Sequence, residues 1–266
     1  MDYKAFFDLN IELSNEDDVW KSLCDYNIRT VAVNQVIDAT CIDDVKKKKS
    51  EKKEDIVPSP VNILIPEEYK DKIVALNRFT VSISDGNILH KIIQSPNFKK
   101  YDIIAVSPTN QGSLQACCLS NDIDMISFET QCKPQWTISR KLYKAAIQKN
   151  IFFELQYGPI ISDSSSRKYI IQTAHMFHTM GKSKNIVITS GTGKAKLLRS
   201  PYDVINFCFL LGFDENKAKQ ALISNSQQLL FHAKYRRHNK SILKITLLNE
   251  NKTSDLEKSE VMETEE

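Results

Sequence analysis

The sequence predicts an α/β barrel of the TIM type, with about seven parallel strands surrounded by helices. Short apolar runs recur along the chain, each followed by a helix-periodic segment, which is the signature of parallel strands buried on both faces. Seven such strand–helix units fall within about 230 residues, a length that suits a closed or nearly closed barrel better than an open doubly wound sheet, the alternative architecture. Apolar residues make up 41% and charged residues 26% of the 266, which excludes a wholly disordered or collagen-like chain.

The elements follow in order. Ala5–Leu9 (AFFDL) reads as the first strand. Asn15–Tyr26 reads as a helix, with Val19, Trp20, Leu23 and Tyr26 on one face and Ser14 or Asn15 as cap. Thr30–Asn34 is the second strand. Leu76–Ile83 alternates apolar and polar as a third strand and leads to a helix over Asn87–Gln94. Ile103–Val106 is a strand before a helix over Asn110–Asn121, and Met125–Phe128 one before a helix over Ser139–Lys149. Ile151–Leu155 precedes a long helix, Ser164–Met180, with Gly181 as its expected C′ residue. Asn185–Thr189 is the seventh strand. Helices then follow over Tyr202–Leu211, with Pro201 in its first turn and Gly212 after it, over Asp214–Ser224, capped by Asp214, and over Ser226–Ala233.

One domain therefore covers residues 1–240. Within it, residues 41–60 form a charged stretch: residues 41–55 hold six basic and five acidic side chains, and Pro58 and Pro60 follow. Such a segment cannot bury a core and is expected to be exposed. Residues 241–266 hold three lysines and seven acids and are expected to be a disordered acidic tail. No run of eighteen apolar residues occurs, and the first ten residues lack the basic and apolar regions of a secretory signal. The six cysteines show no CxxC spacing, so reduced thiols in a cytoplasmic or nuclear setting are expected rather than a zinc site or a disulfide framework.

The formal net charge is only +3, but it is unevenly placed. Residues 1–163 carry a net −3, residues 164–240 a net +10 and residues 241–266 a net −4. The central block, thirteen Lys and Arg against Asp203, Asp214 and Glu215, suggests a polyanionic partner.

Parallel barrels place chemistry at the C-terminal ends of their strands. Here those positions hold Asp8, Asn10, Asn34, Ser84, Asp85, Ser107, Glu129, Glu154, Gln156, Tyr157, Thr189 and Ser190, and no histidine. A metal-dependent hydrolase needs several His and carboxylate donors there. His175 and His178 share a helix face and could supply two ligands, or simply pack at the surface. Asp8 and Glu154 could form an acid/base pair or be polar lining. Ser190–Lys194 (SGTGK) resembles the end of a phosphate loop, but Ile188 stands where the motif needs glycine and Ala195 where it needs Ser or Thr. Nucleotide hydrolysis is rejected on that ground. Backbone N–H groups of Gly191–Lys196, with Lys194, Lys196 and Arg199 nearby, could still hold a phosphate, or the glycines could merely serve a turn.

Several motifs together carry a family resemblance. KNIVITSG at 184–191, RSPYDV at 199–204, LLGF at 210–213 and AKQALISN at 218–225 lie in the most specific part, residues 167–225. FFDLNI at 6–11, VAVN at 31–34, LNRFTVSISD at 76–85, YDIIAVSPTN at 101–110 and FFELQYGPIISD at 152–163 follow the same order upstream. Over residues 3–240 the chain resembles the barrel-shaped thirty-kilodalton protein subunit of eukaryotic and archaeal ribonuclease P and ribonuclease MRP. The resemblance implies a barrel related to the polymerase-and-histidinol-phosphatase (PHP) hydrolases without their metal site. Their first-strand His-x-His is here Asp8-Leu9-Asn10. It implies a subunit with no catalytic residue, metal or cofactor of its own, in an enzyme whose RNA is the catalyst. The expected work is 5′ maturation of precursor tRNA and, in the MRP form, processing of ribosomal RNA.

The implied partners are the ribonuclease P and MRP RNAs, a small ferredoxin-like protein subunit, often in a two-plus-two assembly, and other proteins of the particle. Precursor tRNA is met indirectly, and the nucleus and nucleolus are the implied location. Lys149, Arg199 and Lys219 match positions where basic residues of the family touch RNA, and Arg78 matches a family arginine. With the charge block these give the expected RNA-binding set: Arg78, Lys149, Arg167, Lys182, Lys184, Lys194, Lys196, Arg199, Lys219, Arg236, Arg237 and Lys240. A PHP-type metal phosphoesterase and a purely protein-binding scaffold are the competing readings.

Overall fold

The computed structural model describes residues 6–12, 17–38 and 55–238. Seven strands pair in sequence order and all in parallel: β1 (Phe6–Glu12), β2 (Ile28–Asp38), β3 (Val74–Ile83), β4 (Ile103–Pro108), β5 (Met125–Ile126), β6 (Phe152–Gln156) and β7 (Ile186–Thr189). Polar contacts join the ends of the sheet: Ser190 N–H donates to Asp8 Oδ1 at 3.1 Å, and Gly191 N–H to the Asn10 carbonyl at 3.0 Å. The result is a nearly closed barrel, and the open-sheet alternative falls away.

Nine α-helices are described. They are α1 (Asp17–Asp25), α2 (Gly86–Ile93), α3 (Gln111–Leu119), α4 (Arg140–Gln148), α5 (Gly158–Ser162), α6 (Ser164–Gly181), α7 (Pro201–Cys208), α8 (Glu215–Lys219) and α9 (Asn225–Arg237). The starts of the later helices are set by side-chain caps. Asp163 accepts from Ser166 N–H, Ser200 from Asp203 N–H and Asp214 from Lys217 N–H. The two helices expected over 214–233 run together, because a π-helical turn, Gln220–Ser224, joins α8 to α9. The expected caps Ser14 and Asn15 lie outside the described residues.

Period-2 alternation sorts each strand into an outer and an inner face. Outward, Phe79, Val81, Ile104, Val106, Phe153 and Leu155 meet the helices in the main core. Tyr143 of α4 stacks on Phe153 at 4.6 Å, and Phe177 of α6 lies 5.0 Å from the same ring. Inward, the barrel is layered. Ala32, Ile103, Met125, Phe152 and Val187 form an apolar lower layer, closed beneath by Leu229 and Leu230 of α9. Above them lie Arg78 and Glu154, and above those a polar mouth.

Two expectations are corrected. Gly181 is the last helical residue of α6, not its C′. The left-handed residue is Lys182, with φ 53°. Gly181 is needed for close approach instead: a Cβ there would lie 1.9 Å from Cε1 of Tyr143. The exposed stretch also ends earlier than residue 60. Val57 is fully buried in the main core, and Asn97 holds the segment through the Val57 carbonyl at 2.9 Å and Asp55 at 3.2 Å. Residues 41–54 and the expected tail, 241–266, lie outside the described residues.

Candidate nucleic-acid interface

Beneath the mouth of the barrel, where such folds place chemistry, lies an internal ion pair. Arg78 donates to both Glu154 oxygens at 2.6 Å, to the Leu9 carbonyl at 2.8 Å and to Thr80 Oγ1 at 3.0 Å. Neither side chain is exposed at all. The register shift between Asp8 and Ile11 is the local cause. It turns the Leu9 carbonyl toward Arg78 and brings Asn10 Nδ2 to 3.0 Å from Glu154. Burial alone would raise the Glu154 carboxyl, but the charge and hydrogen bonds of Arg78 hold it below the ordinary value.

Arg78 is therefore corrected from an expected RNA contact to an interior residue. A fully buried guanidinium with its donors satisfied cannot reach a phosphate. Glu154 is likewise spent, so it does not form an acid/base pair with Asp8. Asp8 itself is buried, accepts from Ser190 and Asn10 N–H through Oδ1, and leaves Oδ2 without a partner. Burial pushes its carboxyl up to about 6.

The donor set does not fit the metal of the PHP hydrolases. Glu154 is engaged as described and Asp8 is buried, the inner mouth groups are neutral amides and hydroxyls with Glu12 and Glu129 only at the exposed rim, and no cluster of three or more His, Cys, Asp or Glu forms among the described residues. His175 and His178 both sit at the surface of α6, and His178 Nδ1 faces Ser183 Oγ at 3.2 Å.

The basic block does not form one patch. Arg236 packs beneath the barrel, with its side chain 6% exposed. It contacts both oxygens of Asp124 at 3.0 Å and the Asp102 carbonyl at 3.3 Å. Arg237 pairs with Asp102, and His232 Nδ1 lies 3.0 Å from Asp124. Arg236 and Arg237 thus fasten α9 across the starts of β4 and β5. Arg236 is corrected from an RNA contact to a structural residue, and Arg237 is largely committed the same way. Lys219 is exposed but pairs with Glu215 at 2.5 Å. Lys240 lies outside the described residues.

Arg167, Lys194, Lys196 and Arg199 lie at the mouth end. Arg167 donates to the Ile160 carbonyl at 2.8 Å, and Arg199 to the carbonyls of Lys196 and Leu198, both at 2.8 Å. Nearby, Gly191 has φ 62°, and the N–H groups of Ser190, Gly191 and Lys194 are taken by Asp8, the Asn10 carbonyl and Thr192 Oγ1. Those three donors are unavailable to a phosphate.

Lys182 and Lys184 lie at the other end of α6, about 22 Å along the helix from Arg167. They meet a neighbour that charge-block reading missed. With Arg140, Lys141 and Lys144 of α4 they line a groove of about 930 Å³, floored by Tyr143, whose lining holds no acidic side chain. All five cations are exposed, and none has an ion-pair partner among the described residues. The turn between α6 and β7 is unusual: Lys182, Ser183 and Asn185 all have positive φ. It is held by the Tyr143 hydroxyl donating to the Lys184 carbonyl at 2.6 Å. Lys149, the C-cap of α4, reaches the Leu119 carbonyl on the adjacent surface. The sequence signal for this groove was local: cations at 140, 141 and 144 of an amphipathic helix fall on its exposed side.

A family model and several relatives match the chain. The family model described as RNase P subunit p30 matches residues 5–238. The mouse protein "Ribonuclease P protein subunit p30" is 28% identical over 242 residues, covering 88% of this chain and 87% of the mouse protein. The Arabidopsis thaliana "Protein GAMETOPHYTE DEFECTIVE 1" is 34% identical over 177 residues, which is 66% of this chain but 29% of that longer protein. A chain in the cryo-EM structure of archaeal ribonuclease P with mature tRNA shares the fold at TM-score 0.61, with 15% identity, over 91% of this chain and 99% of its own length.

Proposed function

The chain belongs to the RNase P subunit p30 family, and from that premise we propose that it is a non-catalytic protein subunit of ribonuclease P whose α4–α6 groove holds the RNA of the particle. The observation that carries the reading is the set of five unpaired cations along one groove. A nucleic acid backbone offers a phosphate at every nucleotide, and each lysine or arginine that meets one releases a counterion. The neutral layers of the mouth and its closed ion pair do not support a phosphoesterase. In the proposed particle the RNA carries out the cleavage that matures the 5′ end of precursor tRNA, and this chain stabilises the RNA's fold. We extend the proposal to the ribonuclease MRP form and its ribosomal RNA processing, to a small ferredoxin-like subunit as protein partner in a two-plus-two assembly, and to a nuclear and nucleolar location.

The test is the salt dependence of binding. The full chain and a variant with Arg140, Lys144, Lys182 and Lys184 all changed to Gln are titrated with the ribonuclease P RNA at several salt concentrations. The magnitude of the slope of log K against log salt is expected to fall by about 3 in the variant, from about 0.7–0.9 per lost phosphate contact, with no change in urea midpoint. An unchanged slope removes the groove from the interface. Recovery of the particle with neither RNA attached would overturn the subunit reading itself.

A further inference from the structure

The mouth of the barrel is a second, chemically distinct cavity of about 360 Å³. Strands β1, β2, β3, β4 and β6, and the residue just after β5, contribute neutral polar side chains to it: Asn10, Asn34, Thr80 with Ser82, Ser107, Gln156 and Ser127. Some of these are tied together, with Asn34 Nδ2 donating to Asn10 Oδ1 at 2.9 Å and Thr80 Oγ1 to Asn34 Oδ1 at 2.7 Å. Others are unspent. The hydroxyls of Ser82 and Ser107 line the cavity and make no side-chain hydrogen bond among the described residues. Gln156 Nε2 meets Ser127 Oγ at 3.4 Å and Glu154 Oε2 at 3.5 Å, contacts weak enough to exchange for a better partner.

The walls differ in character. Val36, Ile37 and Phe128 are the apolar members of the lining, set among the hydroxyls and amides. The charge is also one-sided. The cavity lining holds no cation, and its charged members are Glu12 and Glu129, both exposed at the rim. Arg78 below is neutralised by Glu154. A phosphate entering here would meet carboxylates and no compensating base. A ligand suited to the site is uncharged, has an apolar face for Phe128, and carries several hydrogen-bonding edges. Its volume is that of a single small molecule.

We propose that the mouth binds one uncharged nucleoside, its base against Phe128 and its polar edges on Ser82, Ser107 and Gln156. This site is separate from the RNA groove and does not depend on it. The same chemistry is offered by a free nucleoside and by the last nucleoside of an RNA strand, and the experiment separates them. The full-length protein is titrated by ligand-observed NMR with the four ribonucleosides, with their 5′-monophosphates, and with dinucleotides ending in a free 3′-nucleoside.

The expected result is saturable binding of at least one nucleoside, with its monophosphate bound about tenfold more weakly because of the rim carboxylates. Dinucleotide binding as tight as the free nucleoside assigns the ligand to an RNA end. Weaker dinucleotide binding assigns it to a free metabolite. Ser107→Leu, which fills the cavity, is expected to abolish binding while leaving the urea midpoint and the RNA salt slope unchanged. Should that variant fail to fold, Ser82→Ala is expected to weaken binding by roughly three- to tenfold through one lost hydrogen bond. No nucleoside binding at millimolar concentration, monophosphates bound as well as nucleosides, or full affinity in Ser82→Ala would each overturn the proposal.

Discussion

The interior of the barrel and its α4–α6 flank use positive charge in opposite ways. Inside, Arg78 makes four hydrogen bonds and reaches no solvent. On the flank, five cations share a groove with no acidic partner. A charge removed from water must be neutralised where it sits, so Arg78 requires Glu154 and the Leu9 carbonyl. A charge left in water carries no such requirement and stays available to a partner. The difference follows from position: Arg78 is an inward residue of a central strand, whereas Arg140, Lys144 and Lys182 lie on helices and their ends. In this fold the burial of a basic residue and the acids it meets decide between stability and binding more than its place in a charge block, as Arg236 shows on a helix.

The largest effect is expected from breaking the interior. Arg78→Met leaves Glu154 buried and uncompensated, and is expected to cost about 3–5 kcal/mol in urea denaturation. Adding Glu154→Leu should recover much of that loss, because two apolar side chains leave no charge behind. RNA affinity, corrected for the folded fraction, should keep its salt slope in both variants. A single-variant loss below about 1 kcal/mol would show that the pair behaves as if exposed and would erase the contrast.

The next effect concerns Asp8, the interior carboxyl without a cation. Its folded pKa of about 6 lies above the ordinary 3.8, so between these values the native state binds the extra proton. Stability is therefore greatest below about pH 4 for this group and falls as pH rises through 6, by about 3 kcal/mol at most. Glu154 and Asp124 act in the opposite sense. Burial opposes their charge, but Arg78 in one case and Arg236 with His232 in the other hold both carboxyls below the ordinary value. Their stabilisation is present above about pH 4 and is lost as pH falls through their depressed values. Asp8→Asn should flatten the pH 4–6 window and raise the thermal midpoint at pH 7, since Asn still accepts from Ser190 N–H. A midpoint at pH 7 that drops would mean the ionised carboxylate is needed to hold β1 to β7.

Much of this architecture was legible in the residues. Short apolar runs alternating with helix-periodic segments, and a cap such as Asp214, carry their own local energetics, and they placed the seven strands and most helices; the Asp163 cap of α6 came only from the structure. The charge block was less informative, because net charge over a sequence window does not record which acids lie across the fold. Arg236 and Arg237 meet Asp124 and Asp102, more than a hundred positions away. Arg140, Lys141 and Lys144 fell in a segment with negative total charge, yet they join Lys182 and Lys184 in space. Gly181 was read for its backbone freedom, whereas its cause is the ring of Tyr143, a tertiary contact.

The smallest expected effect gives the sharpest separation between the two uses of charge. Lys182 holds φ 53° at the end of α6, a conformation that costs a residue with a Cβ roughly 1–2 kcal/mol and glycine almost nothing. Glycine also loses more chain entropy on folding, which returns part of that gain. Lys182→Gly should therefore raise stability by roughly 0–1 kcal/mol. It should also lower the magnitude of the RNA salt slope by about 0.7–0.9, one phosphate contact. Stability and binding then move in opposite directions at one position, as expected where a lysine occupies a strained turn for the sake of its charge. If urea denaturation shows a loss of stability while the slope is unchanged, the side chain supports the turn and the groove loses Lys182. Lys182→Gln separates the contributions: it keeps the backbone cost, removes the charge, and should reproduce the slope change with the wild-type midpoint.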